Sequence, residues 1–368
     1  MENTTLPVSL FWANFSFINE RSAFSLSLQK GLRISSMVIY SLAFFLGVIG
    51  NGLVIFITGF RMKKTVSIIW FLNLAIADFT CTFFLPLSIA HLALAYQWPF
   101  GEVMCKVSPS MIILNLHASV YFLMIISVDR CISVRCPVWA RNHRTPRLAT
   151  FVALGTWILA LALCSQNLYF RKTSSIGHIV FCYKEYSSDR EQAKIIHRAT
   201  VINRFILTFA IPFSVIIVCY RVIILQLRRN SSAWSNKPFK VITAVIVAFF
   251  ICWFPYQVFC FLEVQAHEDP NLNSIVNHFF PLIASLAFIN SGLNPILYVF
   301  VGREIKERLK RSILSVFENA FSEEINWSTR QKKMTDDVTH CNIIIFRLDT
   351  FSPTGEEQEV SCMDEDRK

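Results

Sequence analysis

Seven stretches of this chain, near residues 34–59, 66–93, 103–134, 149–169, 200–227, 240–264 and 275–300, are apolar over lengths for which a soluble protein has little use. A helix needs about 20 mostly apolar residues to cross the hydrocarbon of a bilayer, and each stretch reaches that length. They specify an all-α membrane protein, a bundle of seven transmembrane helices. A large soluble helical bundle would need a polar face on nearly every helix, and Val241 to Phe250 or Phe205 to Cys219 offer almost none. Composition agrees, with 54% hydrophobic and only 16% charged residues.

The net charge of +10 would suit nucleic acid if it were spread over one surface, but it is clustered between spans. Basic groups follow span 1 (Arg61, Lys63, Lys64), span 3 (Arg135, Arg141, Arg144, Arg147) and span 7 (Arg303, Lys306, Arg308), and others flank the gap between spans 5 and 6. All four clusters fall on one side, which the positive-inside rule makes cytoplasmic. That leaves the N-terminus outside and gives nucleic acid no role. No basic, apolar, small-residue leader is visible at Met1, so the first span is expected to act as the insertion signal. The sequons at Asn3 and Asn14 then sit in the outer tail and are expected to carry glycans, whereas Asn230 and Asn326 match the same pattern on the inner side.

Among eleven cysteines, only Cys105, at the outer start of span 3, and Cys182, in the loop before span 5, lie at clearly extracellular positions, and they are expected to form the one disulfide. The chain divides into an extracellular glycosylated segment, 1–33; the seven-span domain, 34–302; an amphipathic helix lying along the inner membrane lipid, 303–314; and a polar, Ser/Thr-bearing tail, 315–368, expected to be disordered. The apolar run Asn342 to Phe346 within that tail has no physical account. An outer loop of roughly 30 residues, Phe170 to Ala199, is the expected lid over a ligand site. No internal repeat points to a transporter built of inverted halves.

An ionisable group at membrane depth is expensive, which makes Asp78 in span 2 a functional candidate. Asn115 and Ser119 lie four residues apart on span 3, as do Asn290 and Asn294 on span 7, so each pair shares a helix face. With Asp78 they would form an oxygen-rich pocket suited to a sodium ion. The plain alternative is that these groups satisfy one another as interhelical hydrogen bonds. Span 3 ends on Asp129-Arg130-Cys131. Span 6 carries Trp253, Pro255 and Tyr256, and span 7 carries Asn294, Pro295 and Tyr298, each proline removing an interior hydrogen bond and inviting a kink.

These residues, with Gly50 to Val54, Met62 to Val66, Trp70 to Ala75, Trp98 to Gly101, Pro137 to Trp139, Asn142 to Thr145 and Lys237 to Lys240, resemble the rhodopsin-like G-protein-coupled receptors. The likeness covers roughly residues 35–325 and is to the chemoattractant group, which includes chemerin, formyl-peptide and chemoattractant-type prostaglandin D2 receptors. It implies coupling to inhibitory heterotrimeric G proteins, arrestin and receptor kinases acting on the tail, and a role in leukocyte chemotaxis and inflammation. It also implies that Arg130 leaves a local pair with Asp129 to meet the G protein, with Trp253, Pro255, Asn294, Pro295 and Tyr298 as further activation-switch residues.

The outer half of the bundle holds Arg171 at the start of the long loop and Arg204 in span 5. At about 1.5 Å per residue, Arg204 stands roughly 12 Å above Pro212, inside a pocket rather than at its rim. A buried guanidinium wants a carboxylate or phosphate, supplied either by an anionic ligand or by Glu263 of span 6. Tyr256 and Ile113 complete the expected ligand-binding set. Formyl-peptide receptors carry an acid and a second arginine at the positions of Ile113 and Thr200 here, which disfavours formyl-methionine. An extracellular peptide or an eicosanoid remains, a chemerin-like ligand slightly ahead of prostaglandin D2, with a non-signalling scavenger receptor as a further alternative. An enzyme is not expected, since His91, His117 and His278 lie far apart without repeated ligand spacing.

Overall fold

The computed structural model describes residues 23–229, 237–266 and 268–301. Within them lie seven helices long and apolar enough to cross a membrane: Ser27–Arg61, Val66–Ala93, Gly101–Arg135, Pro146–Phe170, Arg190–Gln226, Ile242–Gln265 and Asn271–Ile296, hereafter spans 1 to 7. The sequons Asn3 and Asn14, the segment 303–314 and the tail from 315 onward lie outside the described residues.

The helices outrun the apolar stretches. The first begins at Ala23 and the fifth at Arg190, not near 34 and 200. Lys30, Arg33, Glu191, Gln192 and Lys194 lower the hydropathy of those turns without lowering their helix propensity. Asp189 caps the fifth helix, its side chain accepting from the Gln192 amide at 3.3 Å. Thr65 and Thr145 cap spans 2 and 4 in the same way.

Proline marks the irregular turns. Span 2 breaks at Phe84 and restarts at Leu85, with Pro86 in the first turn of the new segment. Span 5 widens into a π turn at Ile206–Ala210 just before Pro212, whose ring cannot donate to the carbonyl four residues back. Span 3 is the axis of the bundle. Its apolar window is 72% buried, against 28% for spans 1, 4 and 5, which give more of their surface to lipid.

Span 1 meets its neighbours through glycine. A Cβ at Gly50 would stand 2.8 Å from the Pro295 ring, and one at Gly47 would collide with Thr82. Thr82 has no room to yield, being fully buried with its hydroxyl bonded to the Asp78 carbonyl at 2.9 Å.

The long outer loop is more ordered than its length suggested. Arg171–Ile176 and Ile179–Lys184 pair antiparallel as strands β1 and β2, turning at Gly177 with φ +60°. The hairpin is fixed to span 3 by the Cys105–Cys182 disulfide. It is also held by Trp98, whose amide donates to the Val180 carbonyl at 2.8 Å. The Trp98 indole in turn donates to the carbonyl of Gly101, which sits at φ +77°.

Replacing Gly47 by Ala is expected to cost about 1–3 kcal/mol through overpacking against Thr82. Gly155→Ala, where a Cβ meets open space, should be neutral or stabilising. Thermal inactivation of the two detergent-solubilised variants measures both, and equal behaviour would contradict the packing argument.

Candidate functional site

Beneath the hairpin is a cavity of about 570 Å³ lined by residues of spans 2 to 7. Ile113, Arg171, Arg204, Tyr256 and Glu263, the five ligand-site residues read from the sequence, all line it. The structure adds Lys184 and Tyr186 from the loop, His197 from span 5, Cys260 from span 6 and Asn277 from span 7. Tyr186 stacks on His197 with ring centroids 4.8 Å apart. No period or motif marked the loop residues, because their placement depends on the hairpin register that sets Arg171 opposite Lys184.

Arg204 is 7% exposed, yet no carboxylate pairs with it among the described residues. The pair with Glu263 that the sequence left open is not formed. The Arg204 guanidinium instead lies 5.5 Å from the centre of the Tyr256 ring, and its buried Nε has no acceptor. A ring face answers a cation only partly, so Arg204 retains hydrogen-bonding capacity toward the cavity. The lining as a whole is basic, with Arg171, Lys184, Arg190, Lys194 and Arg204 against Glu185 and Glu263. Burial pushes the Lys184 amine down to about 8, opposed by Glu263 and reinforced by Arg171 and Arg204.

A second polar site lies deeper. Asp78 is fully buried, and its carboxylate accepts from Asn294 Nδ2 at 2.7 Å. The Asn115 amide is read with its nitrogen toward Asp78, because the reverse would set oxygen against carboxylate. So oriented, it donates to Asp78 Oδ1 at 3.2 Å, stands 2.9 Å from the Ser119 hydroxyl and accepts from Ser291 Oγ at 3.1 Å. Asn290 is also fully buried, and neither end of its amide has a partner. Asp78, Asn115, Ser119 and Asn294 thus gather as the helical spacing suggested. Asn290 lies on the same span 7 face, and Ser291 is an addition the sequence did not flag.

Asp129 and Arg130 depart from expectation. Asp129 is held by Arg144, from the loop after span 3, whose Nε and second nitrogen donate to its two oxygens at 2.7 and 2.9 Å. Arg130 Nε is 4.0 Å from Asp129 and bonds nothing, while its Nη2 donates to Ser67 at 2.6 Å. The Asp129–Arg130 pair is therefore marginal, and Arg144 is the partner that the fold supplies. Trp253 is buried against Phe249 and Tyr256. Pro255 and Pro295 lie inside the helices Lys237–Gln265 and Pro270–Val301. Tyr298 lies on the second of these, and its side chain is outside the described set.

A double-mutant cycle on thermal stability between Asp129→Asn and Arg144→Gln is expected to show coupling of about 1 kcal/mol or more. The cycle between Asp129→Asn and Arg130→Gln should show less, and the reverse order would contradict the geometry.

Comparison with known proteins places this arrangement. Residues 50–298 match the model of the 7 transmembrane receptor (rhodopsin family). The chain is 42% identical over 310 residues to human chemerin-like receptor 1, covering 81% of this chain and 82% of that protein. It is 41% identical to mouse formyl peptide receptor 2, over 81% and 88% of the two chains, and 41% identical to the zebrafish C3a anaphylatoxin chemotactic receptor, over 86% and 85%. These relatives are receptors rather than enzymes, and the family's partners are an extracellular ligand and a G protein. The chain, a multi-pass plasma-membrane protein, belongs to the rhodopsin family of seven-transmembrane receptors, in its chemoattractant group.

Proposed function

We propose that this receptor, with its N-terminus outside, binds the anionic end of an extracellular peptide or lipid mediator and signals through inhibitory G proteins to direct leukocytes. The observation that carries the proposal is the buried Arg204 with no carboxylate partner, in a cavity whose lining is basic overall. Receptor kinases and arrestin would act on the Ser/Thr-bearing tail. A chemerin-like peptide is favoured, in keeping with the 42% identity to chemerin-like receptor 1. The likeness to formyl peptide receptor 2 is nearly as high, but Ile113 offers no acid in the cavity and Thr200 does not line it.

The Asp78 cluster would take a sodium ion as an allosteric ligand. Its donors fit a hard monovalent cation: a carboxylate with no basic partner among the described residues, hydroxyls, and the unpartnered buried amide of Asn290. Asp78→Asn is then expected to abolish the sodium dependence of agonist affinity. Dependence that survives the substitution would return the cluster to simple interhelical hydrogen bonding.

Inhibition of stimulated cyclic AMP, with chemerin C-terminal peptide, prostaglandin D2 and a formylated peptide applied in parallel and with or without pertussis toxin, tests ligand and coupling together. Silence to all three at normal surface density would favour the scavenger. For the active ligand, Arg204→Ala should cost about tenfold or more in potency at equal surface expression. Unchanged potency would remove the anionic-end reading. Because Lys184 loses its proton as pH rises through about 8, affinity for an anionic ligand should fall between neutral and mildly alkaline pH, and Lys184→Gln should flatten that profile.

A further inference from the structure

At the end of the bundle that carries Asp129, one carboxylate serves two arginines. Asp129 is the sole acidic residue between Glu102 and Glu185, and the sequence has none between Glu191 and Glu263 or between Asp269 and Glu304. Span 2 carries only Asp78, which is engaged deep in the bundle by Asn294 and Asn115. The Asp129 side chain is 10% exposed, and Arg144 takes both of its oxygens, at 2.7 and 2.9 Å. Arg130 Nε is left 4.0 Å away without an acceptor. Its Nη2 turns instead to Ser67, in the first turn of span 2, whose Oγ accepts at 2.6 Å. The same Oγ accepts from Arg144 Nη2 at 2.9 Å. A serine hydroxyl has two acceptor sites, and the two guanidinium groups fill both. Neither the ligand cavity nor the Asp78 cluster uses Ser67 or Arg144.

The two arginines therefore compete for the same two acceptors, and the outcome of the competition sets how firmly Arg130 is held. A carboxylate binds a guanidinium more strongly than a neutral hydroxyl does, because both partners are charged. By occupying Asp129, Arg144 leaves Arg130 on the weaker acceptor. We propose that Ser67 and Arg144 are positioning residues of opposite sign for signalling. Ser67 restrains Arg130, while Arg144, by withholding Asp129, keeps that restraint weak. Loss of Ser67 frees Arg130, whereas loss of Arg144 releases Asp129 to pair with Arg130 and tightens the hold. A single neutral bond then sets the balance between the restrained and released states of Arg130. The signalling consequence rests on Arg130 meeting the G protein, as the family resemblance implies; the competition for Asp129 and Ser67 does not.

The test is agonist-free GTPγS exchange on a purified inhibitory heterotrimer, driven by the full-length receptor in lipid nanodiscs. Ser67→Ala should raise the rate about threefold or more, the effect of one modest hydrogen bond on an equilibrium. Ser67→Thr, which keeps the hydroxyl, should reverse the rise. Arg144→Gln should lower the rate by a similar factor. In an Asp129→Asn background that lowering should vanish, which separates it from any contact of Arg144 with the G protein. Simple loss of structure would move Ser67→Ala and Arg144→Gln in the same direction. A shared direction overturns the proposal, as does an unchanged rate in Ser67→Ala or a lowering by Arg144→Gln that survives Asp129→Asn. A heterotrimer that answers neither the wild type nor any variant counts against the inhibitory coupling proposed above. A double-mutant cycle on thermal inactivation between Ser67→Ala and Arg130→Gln then decides, coupling sustaining the restraint and additive losses overturning it.

Discussion

A carboxylate with no exposure at all, in the middle of an apolar bundle, must be met by donors, and Asp78 draws spans together to supply them. Asn294 comes from span 7 and Asn115 from span 3, and Ser291 joins them. Span 1 is tied into the same knot, since the Asn51 amide donates to the Ser291 carbonyl at 3.0 Å and Tyr40 donates to the Pro281 carbonyl at 3.0 Å. Span 4 joins through the Trp157 indole, which donates to Asn73 of span 2 at 2.9 Å. Spans 5 and 6 are linked to each other, by Gln257 to Thr208 at 2.9 Å and Thr243 to Tyr220 at 3.2 Å. Apart from one exposed bond, from Arg135 of span 3 to Gln226 of span 5 at 3.4 Å, the described side-chain hydrogen bonds therefore sort the bundle into a polar-tied group of five spans and a pair held to it mainly by apolar packing. Polar ties resist sliding because each broken bond strands a buried group, whereas apolar faces can exchange neighbours at little cost.

The ligand cavity straddles that seam. Ile113 belongs to the tied group, whereas Arg204, Tyr256 and Glu263 belong to the pair. A ligand that draws Arg204 away from the Tyr256 ring acts on the half of the bundle with fewer polar restraints. At the opposite end of the bundle Asp129 is committed to Arg144 and Arg130 to Ser67, so these charged groups are already partnered within the tied group. Signalling then requires exchange of partners rather than the making of new charges.

Much of this was legible because it is one-dimensional. Apolar length alone located seven spans, and four-residue spacing alone put Asn115 with Ser119 and Asn290 with Asn294. Where two distant segments meet, the sequence was silent. Adjacent residues on a helix do not face each other, which is why Asp129 turns from Arg130 to an arginine in the following loop. Ser291 looked no different from Ser285, which only bonds back to the Pro281 carbonyl of its own helix. The hairpin did leave a trace, β-branched and aromatic residues on either side of Gly177, but a loop between two membrane spans did not invite that reading.

The hairpin is held by a disulfide and by main-chain bonds, Trp98 to Val180 and Glu185 to Phe170, and few of its side chains take part. Anchorage and chemical character are thus separable in this segment. Lys184 can be exchanged for other residues without loosening what positions it. Relatives with the same bundle can therefore drift toward new mediators by rewriting the inner face of a fixed strand pair, leaving the transmembrane machinery beneath it untouched.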